Sequence, residues 1–377
     1  MRKKLLFISM VLLGAVLLSA CSGGAIRGSS WPGLATDGDV AYLASGSFVY
    51  AVNVKDGQEI WRYPESAGGT KLVFYAAPVV TEDGLVIVGS AGTQHDLIAI
   101  NPTDIDPATN TPLEAWTFAD GKDHWVASPL VVGNKLFAPN ADGNLYVLDL
   151  SDGRSQKQAV KTVELGGRLW AQPVTDGKHV LITSLDHSVY AVDVETYDVV
   201  WHKEIDGAIA GSPTIGADGM VYVGSLASQL EQFDPETGQH KVVFTAKNWI
   251  WGTPVVDGDA LYFGDVDGNF YSFNTSTQEL NWSIQPDGSI TASPLVLSDY
   301  IIVATETGKT SESSGTMFAI SREGDILWSE EVGGTLYTTP VVSNDLILVS
   351  PLGADGSLYA YDMSGRGNSW SPFTPGK

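Results

Sequence analysis

Large aromatic side chains stand three to five residues before regularly spaced prolines in this chain. Flat rings gathered in one place can stack on a peptide edge, a sugar or a flat cofactor. Arg168 and His124 stand beside them and could add polar contacts to such a ligand. The candidate binding residues are Tyr75, Trp125, Arg168, Trp170, Trp249, Trp251 and Tyr337.

The residue types that perform catalysis form no recognisable constellation. The histidines show neither HExxH nor another metal-ligand spacing, and no Gly-x-Ser-x-Gly elbow is present. We therefore expect no catalytic residues and no metal site.

The aromatic positions belong to a repeat of roughly 40 to 50 residues, the period of a propeller blade. Each copy has short apolar runs separated by Asp-Gly turns, which is typical of antiparallel strands. A single four-stranded sheet cannot bury both faces, whereas a closed ring of sheets can. The sequence predicts an all-β fold, an eight-bladed β-propeller of four-stranded antiparallel blades. The copies open at Pro78, Pro129, Pro173, Pro213, Pro254, Pro294 and Pro340, with a degenerate first copy at Trp31-Pro32.

In a propeller the loop that enters each innermost strand lies at the mouth of the central channel. The aromatic residues before the prolines would then form a ring around that mouth. Two interpretations stay open: the ring binds a partner or ligand, or the rings only fill a wide channel. Two copies have small residues, Ala210 and Thr291, at the position before the proline where other copies have an aromatic residue.

A second set of aromatic residues closes most copies of the repeat. Burying one tryptophan at each blade junction stabilises the fold by about 2 to 3 kcal/mol. The third copy, around residues 157–163, and the fifth, around residues 242–244, lack it, and Phe244 could substitute in the fifth. The structural docking residues are Trp61, Trp116, Trp201, Trp282, Trp328 and Trp370.

The segment Ala51-Val52-Asn53-Val54-Lys55-Asp56-Gly57-Gln58-Glu59-Ile60-Trp61, repeated at 191–201 and 360–370, resembles the tryptophan-docking motif of the pyrroloquinoline quinone (PQQ) repeat family. Two branches share such blades: quinoprotein dehydrogenases, and non-enzymatic lipoproteins similar to BamB of the outer-membrane β-barrel assembly machine. The dehydrogenases carry an adjacent cysteine pair, a calcium shell and large insertions. This chain has one cysteine, so the resemblance implies a BamB-like protein that is no enzyme and holds no cofactor, PQQ included.

The first residues are typical of a lipoprotein signal peptide, predicted over residues 1–20. Arg2, Lys3 and Lys4 precede an apolar stretch, and Leu18-Ser19-Ala20-Cys21 resembles a bacterial lipobox. Lipidation of Cys21 would anchor the chain to a membrane without a spanning helix. Residues 21–30 form a flexible tether, and residues 31–377 form the propeller. We expect an exported protein, lipid-anchored to the outer face of the cytoplasmic membrane or to the outer membrane.

The chain is strongly acidic. It has 21 Lys and Arg against 44 Asp and Glu, a formal charge of −23. Loss of Arg2, Lys3 and Lys4 with the signal peptide would bring the charge from −23 to −26. Because phosphate binding needs clustered cations, nucleic acid is disfavoured as a partner.

These observations predict a protein-docking scaffold at the cell envelope, with an envelope protein partner that belongs to a membrane assembly complex. The alternatives are a receptor for a glycan or small molecule at the channel mouth and, less favoured, a PQQ-dependent dehydrogenase. Two polar insertions, Asn101–Leu113 and Glu306–Gly315, are expected to be surface loops.

Overall fold

The computed structural model describes residues 32–67, 69–307, 314–352 and 357–375. These residues form β-strands, turns and loops, and none of them lies in an α-helix. No helix long and apolar enough to cross a membrane is found in this part of the chain.

The strands fall into eight consecutive groups, each a separate sheet. The first four groups are β1 (Gly33–Asp37), β2 (Val40–Ser45), β3 (Phe48–Asn53) and β4 (Glu59–Tyr63); β5 (Val79–Val80), β6 (Val86–Gly89), β7 (Leu97–Asp106) and β8 (Thr111–Phe118); β9 (Leu130–Val132), β10 (Lys135–Pro139), β11 (Asn144–Asp149) and β12 (Ala159–Glu164); β13 (Val174–Thr175), β14 (His179–Thr183), β15 (Ser188–Asp193) and β16 (Val199–Glu204). The last four are β17 (Thr214–Ile215), β18 (Val221–Gly224), β19 (Gln229–Phe233) and β20 (His240–Thr245); β21 (Val255–Asp257), β22 (Ala260–Gly264), β23 (Phe270–Asn274) and β24 (Glu279–Ile284); β25 (Leu295–Val296), β26 (Tyr300–Thr307), β27 (Ser314–Ser321) and β28 (Ile326–Gly333); β29 (Val341–Ser343), β30 (Leu346–Val349) and β31 (Tyr359–Asp362).

Each group is one antiparallel meander that runs from the channel to the outside of the ring. Seven blades have four strands, and the eighth has three. In the eighth, the C-terminal segment takes the place of the fourth strand through bridges from Leu358 to Phe373 and from Tyr361 to Gly367. The predicted eight-bladed propeller is confirmed.

The core consists of eight apolar clusters, one between each pair of neighbouring blades. Successive side chains of a strand point to opposite faces, so one strand serves two clusters. In β6, for example, Val86 and Val88 pack toward the first blade and Ile87 packs toward the third. This alternation explains why the middle strands are apolar at nearly every position.

The ring closes where the first blade meets the eighth, and no strand is shared across that junction. Leu34, Leu43 and Val52 pack there with Leu348 and Phe373. The indole Nε1 of Trp370 donates to the Val54 carbonyl at 2.9 Å, and Ser343 Oγ donates to the Gly38 carbonyl at 2.6 Å. Closure therefore depends on side-chain packing and a few hydrogen bonds.

Four of the docking tryptophans, Trp201, Trp282, Trp328 and Trp370, contact the turn that follows the third strand of the next blade. A Cβ on Gly238 would lie 2.7 Å from the Trp201 ring, and one on Gly365 would lie 2.6 Å from the Trp328 ring. The same relation joins Trp282 to Gly324 and Trp370 to Gly57. Each of these four glycines therefore receives the tryptophan ring of the preceding blade, which leaves no room for a side chain there.

The two blades without a docking tryptophan behave differently. In the fifth blade, Phe244 packs on Phe263, Tyr271 and Phe273 of the sixth at ring distances of 5.8, 5.2 and 6.2 Å. In the third blade the tryptophan position is Lys161, paired with Val147.

The first insertion, and the described ends of the second, are more regular than expected. Asn101–Leu113 lengthens the hairpin of β7 and β8, with Ile105 opposite Pro112 and a register shift between Asn101 and Ile105. Its Asn110 side chain donates to the Ile60 carbonyl of the first blade at 2.9 Å. The second insertion likewise extends β26 and β27, as far as Thr307 and from Ser314. For Asn101–Leu113 the surface-loop prediction was wrong, because strand pairing continues through residues that lack apolar alternation. Residues 308–313 of the second insertion lie outside the described residues.

Candidate functional site

The residues three positions before the prolines line the central channel. Large and small side chains alternate there around the ring. Blades two, four, six and eight contribute aromatic rings, and blades three, five and seven contribute Val126, Ala210 and Thr291. The corresponding residue of the first blade lies outside the described residues. The aromatic members, which we call the channel ring, are Tyr75, Trp170, Trp251 and Tyr337.

The alternation has a steric reason, because large side chains fit around a narrow axis only when small ones stand between them. The channel ring surrounds a cavity of about 280 Å³. Each of its four side chains is partly buried. Burial, together with a hydrogen bond to Glu306 and the charge of that residue, raises the pKa of Tyr337.

Trp125 does not belong to the channel ring, which corrects the interpretation of the sequence. It is 1% exposed and packs between the second and third blades against Phe118 and Tyr146, at ring distances of 6.1 and 5.7 Å. Its Nε1 donates to the His95 carbonyl at 2.9 Å. Trp125 stands four residues before Pro129, and in an extended segment that shift of one residue turns the side chain to the opposite face.

The other blades show the same rule. The residue four positions before the proline is buried, for example Leu169 at 0% and Ile250 at 0% exposed. The residue five positions before it lies at the rim of the mouth. The number of residues between a side chain and the following proline therefore distinguishes the three locations: three positions for the channel, four for the core and five for the rim.

Trp249 and Arg168 occupy rim positions. The Trp249 side chain is 49% exposed, an unusual state for tryptophan, and its backbone carbonyl accepts a hydrogen bond from Val266 N–H at 3.1 Å. The Arg168 side chain is 58% exposed and lies 3.9 Å from a carboxylate oxygen of Asp123. The loop positions are therefore fixed while the two side chains face solvent.

Below the channel ring, polar groups tie adjacent blades together. Ser128 Oγ donates to the Ala77 carbonyl at 2.8 Å, and Gln172 Nε2 donates to the Pro129 carbonyl at 3.1 Å. The Ser212 N–H donates to Thr253 Oγ1 at 2.9 Å. These bonds hold the inner strands in a rigid ring, so that the channel ring is positioned before any partner arrives.

The acids of the neighbouring loops face the protein. The carboxylates of Asp142, Asp186 and Asp265 accept hydrogen bonds from the hydroxyls of Tyr146, Tyr190 and Tyr271, at 2.7, 3.0 and 2.7 Å. Each also accepts backbone N–H groups of its own turn. They are structural turn residues.

The described residues that line the channel carry no charged side chain. PQQ is a tricarboxylate that is held together with calcium, so it needs cationic partners and oxygen-rich anionic ligands. The residues present do not fit that group. The predicted lipidation residue, Cys21, lies outside the described residues.

The family model described as "Outer membrane protein assembly factor BamB" matches residues 24–241 of the chain. The outer membrane protein assembly factor BamB of Burkholderia pseudomallei is 25% identical over 217 residues, which cover 55% of this chain and 55% of that protein. The chain therefore spans little more than half the length of this relative. Tetrathionate hydrolase of Acidithiobacillus ferrooxidans is 24% identical, over 84% of this chain and 71% of that protein.

Among solved structures, the crystal structure of BamB from Moraxella catarrhalis superposes with a TM-score of 0.63. It is 22% identical in sequence, and the match covers 88% of this chain and 91% of that chain. At this identity the likeness concerns the fold.

Proposed function

Since the chain belongs to the family of the outer membrane protein assembly factor BamB, we propose that it is a non-catalytic, lipid-anchored propeller that docks a partner protein in the cell envelope. The partner would be a protein of a membrane assembly complex. The docking surface would be the channel ring together with the exposed rim residues Trp249 and Arg168.

One observation carries this proposal: the channel lining is aromatic and uncharged on a strongly acidic molecule. The formal charge of the chain is −23, yet the described channel lining has no charged side chain. Protein interfaces have such a centre, depleted of charge and rich in aromatic residues, with a polar rim. Trp, Tyr and Arg are also the residue types that dominate binding energy at interfaces.

The size of the channel favours a protein over a small ligand. The cavity of about 280 Å³ lies just below the usual range for small-molecule pockets, about 300 to 1,000 Å³. A receptor for a glycan or a planar molecule is the second candidate, because the four rings could stack on such a ligand.

We do not propose catalysis, although tetrathionate hydrolase is a distant relative. Among its described residues the channel lining has no carboxylate, imidazole or charged group that could act on a bound substrate. For the same reason we propose that the channel holds no quinone.

Membrane attachment rests on the sequence of residues 1–21 and is part of the proposal. Replacement of Cys21 by Ser should release the protein into the soluble fraction of lysed cells. Persistent sedimentation of C21S with membranes would contradict lipid anchoring.

Docking can be tested by photo-crosslinking in the native cell, with a probe at Trp249 on the rim. A matched control probe at Glu195 lies in the exposed turn between β15 and β16, on the opposite face of the ring. We expect one discrete protein adduct at position 249, identified by mass spectrometry, and none at position 195. No adduct at either position, or the same adduct at both, would overturn docking at the mouth.

A further inference from the structure

We propose a binding site for a divalent transition-metal ion of the zinc class, formed by His95, Asp123 and His124. One ligand atom from each of the three side chains lies within 4.8 Å of the other two. We call this group the rim cluster. It is separate from the channel ring and does not depend on the function proposed above.

The rim cluster joins two blades. His95 lies in the loop between β6 and β7, and Asp123 and His124 lie in the segment that enters the third blade. The two imidazole centroids are 5.0 Å apart, and His124 Nδ1 lies 2.5 Å from Asp123 Oδ1. Only the stacking of adjacent blades creates this group, so the spacing of histidines along the chain did not indicate it.

The backbone at all three positions is held by hydrogen bonds. The buried Trp125 donates its Nε1 to the His95 carbonyl at 2.9 Å, and the buried Asn140 donates to the Asp123 carbonyl at 2.9 Å. The His124 carbonyl accepts the Ala141 N–H at 3.1 Å. A site on such fixed backbone loses little conformational freedom when it binds an ion.

Two imidazoles and one carboxylate are a donor set that suits zinc and related ions. Zinc–nitrogen bonds of about 2.1 Å place tetrahedral donor atoms roughly 3.4 Å apart. Small side-chain rotations would bring the ligand atoms of His95, Asp123 and His124 to that separation. The ion would take the place of the hydrogen bond between His124 and Asp123. A cavity of about 470 Å³, lined by both histidines with Thr70 and Thr93, leaves room for water in the open coordination positions.

Among the described contacts of the rim cluster, Arg168 is the one positively charged group that opposes the binding of a cation. Its guanidinium lies 3.9 Å from Asp123 Oδ2 and competes with a cation for that carboxylate. Because the Arg168 side chain is 58% exposed, it can turn to solvent when an ion binds. Its removal should therefore strengthen metal binding.

The test is Zn²⁺ titration by calorimetry of the full chain, purified in detergent without a histidine tag and treated with a chelator. Co²⁺ in place of Zn²⁺ reports the coordination geometry through its visible spectrum. The variants are His95→Ala, His124→Ala and Arg168→Ala. The matched control is His202→Ala, a histidine exposed on the outer strand β16. Circular dichroism checks that each variant is folded.

We expect one Zn²⁺ per chain and a Kd at least tenfold higher in H95A and in H124A. We expect a lower Kd in R168A and an unchanged Kd in H202A. Absence of binding to the unaltered chain would overturn the proposal, as would H95A and H124A variants that bind as tightly as it does. A higher Kd in R168A, or an increase of the Kd in H202A equal to that in H95A, would also overturn the proposal.

Discussion

Glu231 Oε2 lies 2.6 Å from His240 Nδ1 in the fifth blade, at a place where most other blades hold a tyrosine. The register of β18 and β19 puts Glu231 opposite Val223, the position that Tyr190 takes in the fourth blade. A cavity of about 430 Å³ opens beside it. Glu231 is 2% exposed, and burial raises its pKa although His240 acts in the opposite direction.

The buried carboxyl makes the fifth blade sensitive to pH. A carboxyl whose pKa is higher in the folded than in the unfolded state stabilises the folded protein at pH values below its ordinary pKa. This contribution to the free energy of unfolding is lost as the pH rises through the pKa of the folded state. Relative to the unaltered protein, Glu231→Gln should therefore gain stability as pH rises from about 4 to about 7. Urea denaturation at both pH values measures this difference. Glu195→Gln, in an exposed turn, is the matched control for one lost charge, and an E231Q difference that falls with pH would contradict the prediction.

Trp201 should be a strong stabilising residue. Its ring stacks on Phe233 at 6.2 Å with an interplanar angle of 3°, and its Nε1 donates to the Pro235 carbonyl at 2.8 Å. Trp201→Ala should lower the free energy of unfolding by about 3 to 5 kcal/mol, as for other large core truncations. Trp249→Ala, at an exposed tryptophan, should change it by only about 0.5 kcal/mol. Equal unfolding midpoints in denaturant for both variants would rule out the docking role.

Gly224 should tolerate no side chain. A Cβ at this position would lie 2.3 Å from Cγ2 of Ile250, which enters the sixth blade. Gly224→Ala should destabilise by about 1 to 3 kcal/mol through overpacking. Gly367→Ala, where nothing lies within 4 Å, is the control and should be nearly neutral. If both substitutions are equally mild in thermal denaturation, the blade junction is more adaptable than its packing indicates.

Trp125 and Trp251 should separate packing from binding. Trp125→Ala should cost about 3 to 5 kcal/mol, because the ring is buried between two blades. Trp251→Ala should cost less than about 1 kcal/mol and should abolish the crosslinked adduct expected at position 249. Denaturation and crosslinking of the two variants side by side distinguish the roles. A large loss of stability in W251A would show that the channel ring is packing.

The fold was predictable because each repeat carries short, local sequence signals. Prolines, Asp-Gly turns and closing tryptophans recur with the blade period, and ring closure is the standard way to bury both faces of such sheets. Gly57 of the docking motif was seen in the sequence, but its contact with Trp370 of the preceding blade depends on packing between blades.

The candidate site was predictable in part. Tyr75, Trp170, Trp251 and Tyr337 line the channel, whereas Trp125, one residue out of step, lies in the core. The channel residues stand three positions before a proline and Trp125 stands four positions before one. The aromatic character of a residue does not distinguish these two positions. The rim cluster and the Glu231–His240 pair were not predictable, because the first joins separate blades and the second needs the strand register.

Packing of the ring does not depend on which blade junction carries the break in the chain, as the closure between the first and eighth blades shows. Every blade is one continuous segment, and the junction at the ends is packed like the other seven. A circularly permuted chain that joined the present ends and began at another blade would keep the same eight units in the same cyclic order. The ring is in this sense a closed sequence of equivalent neighbours.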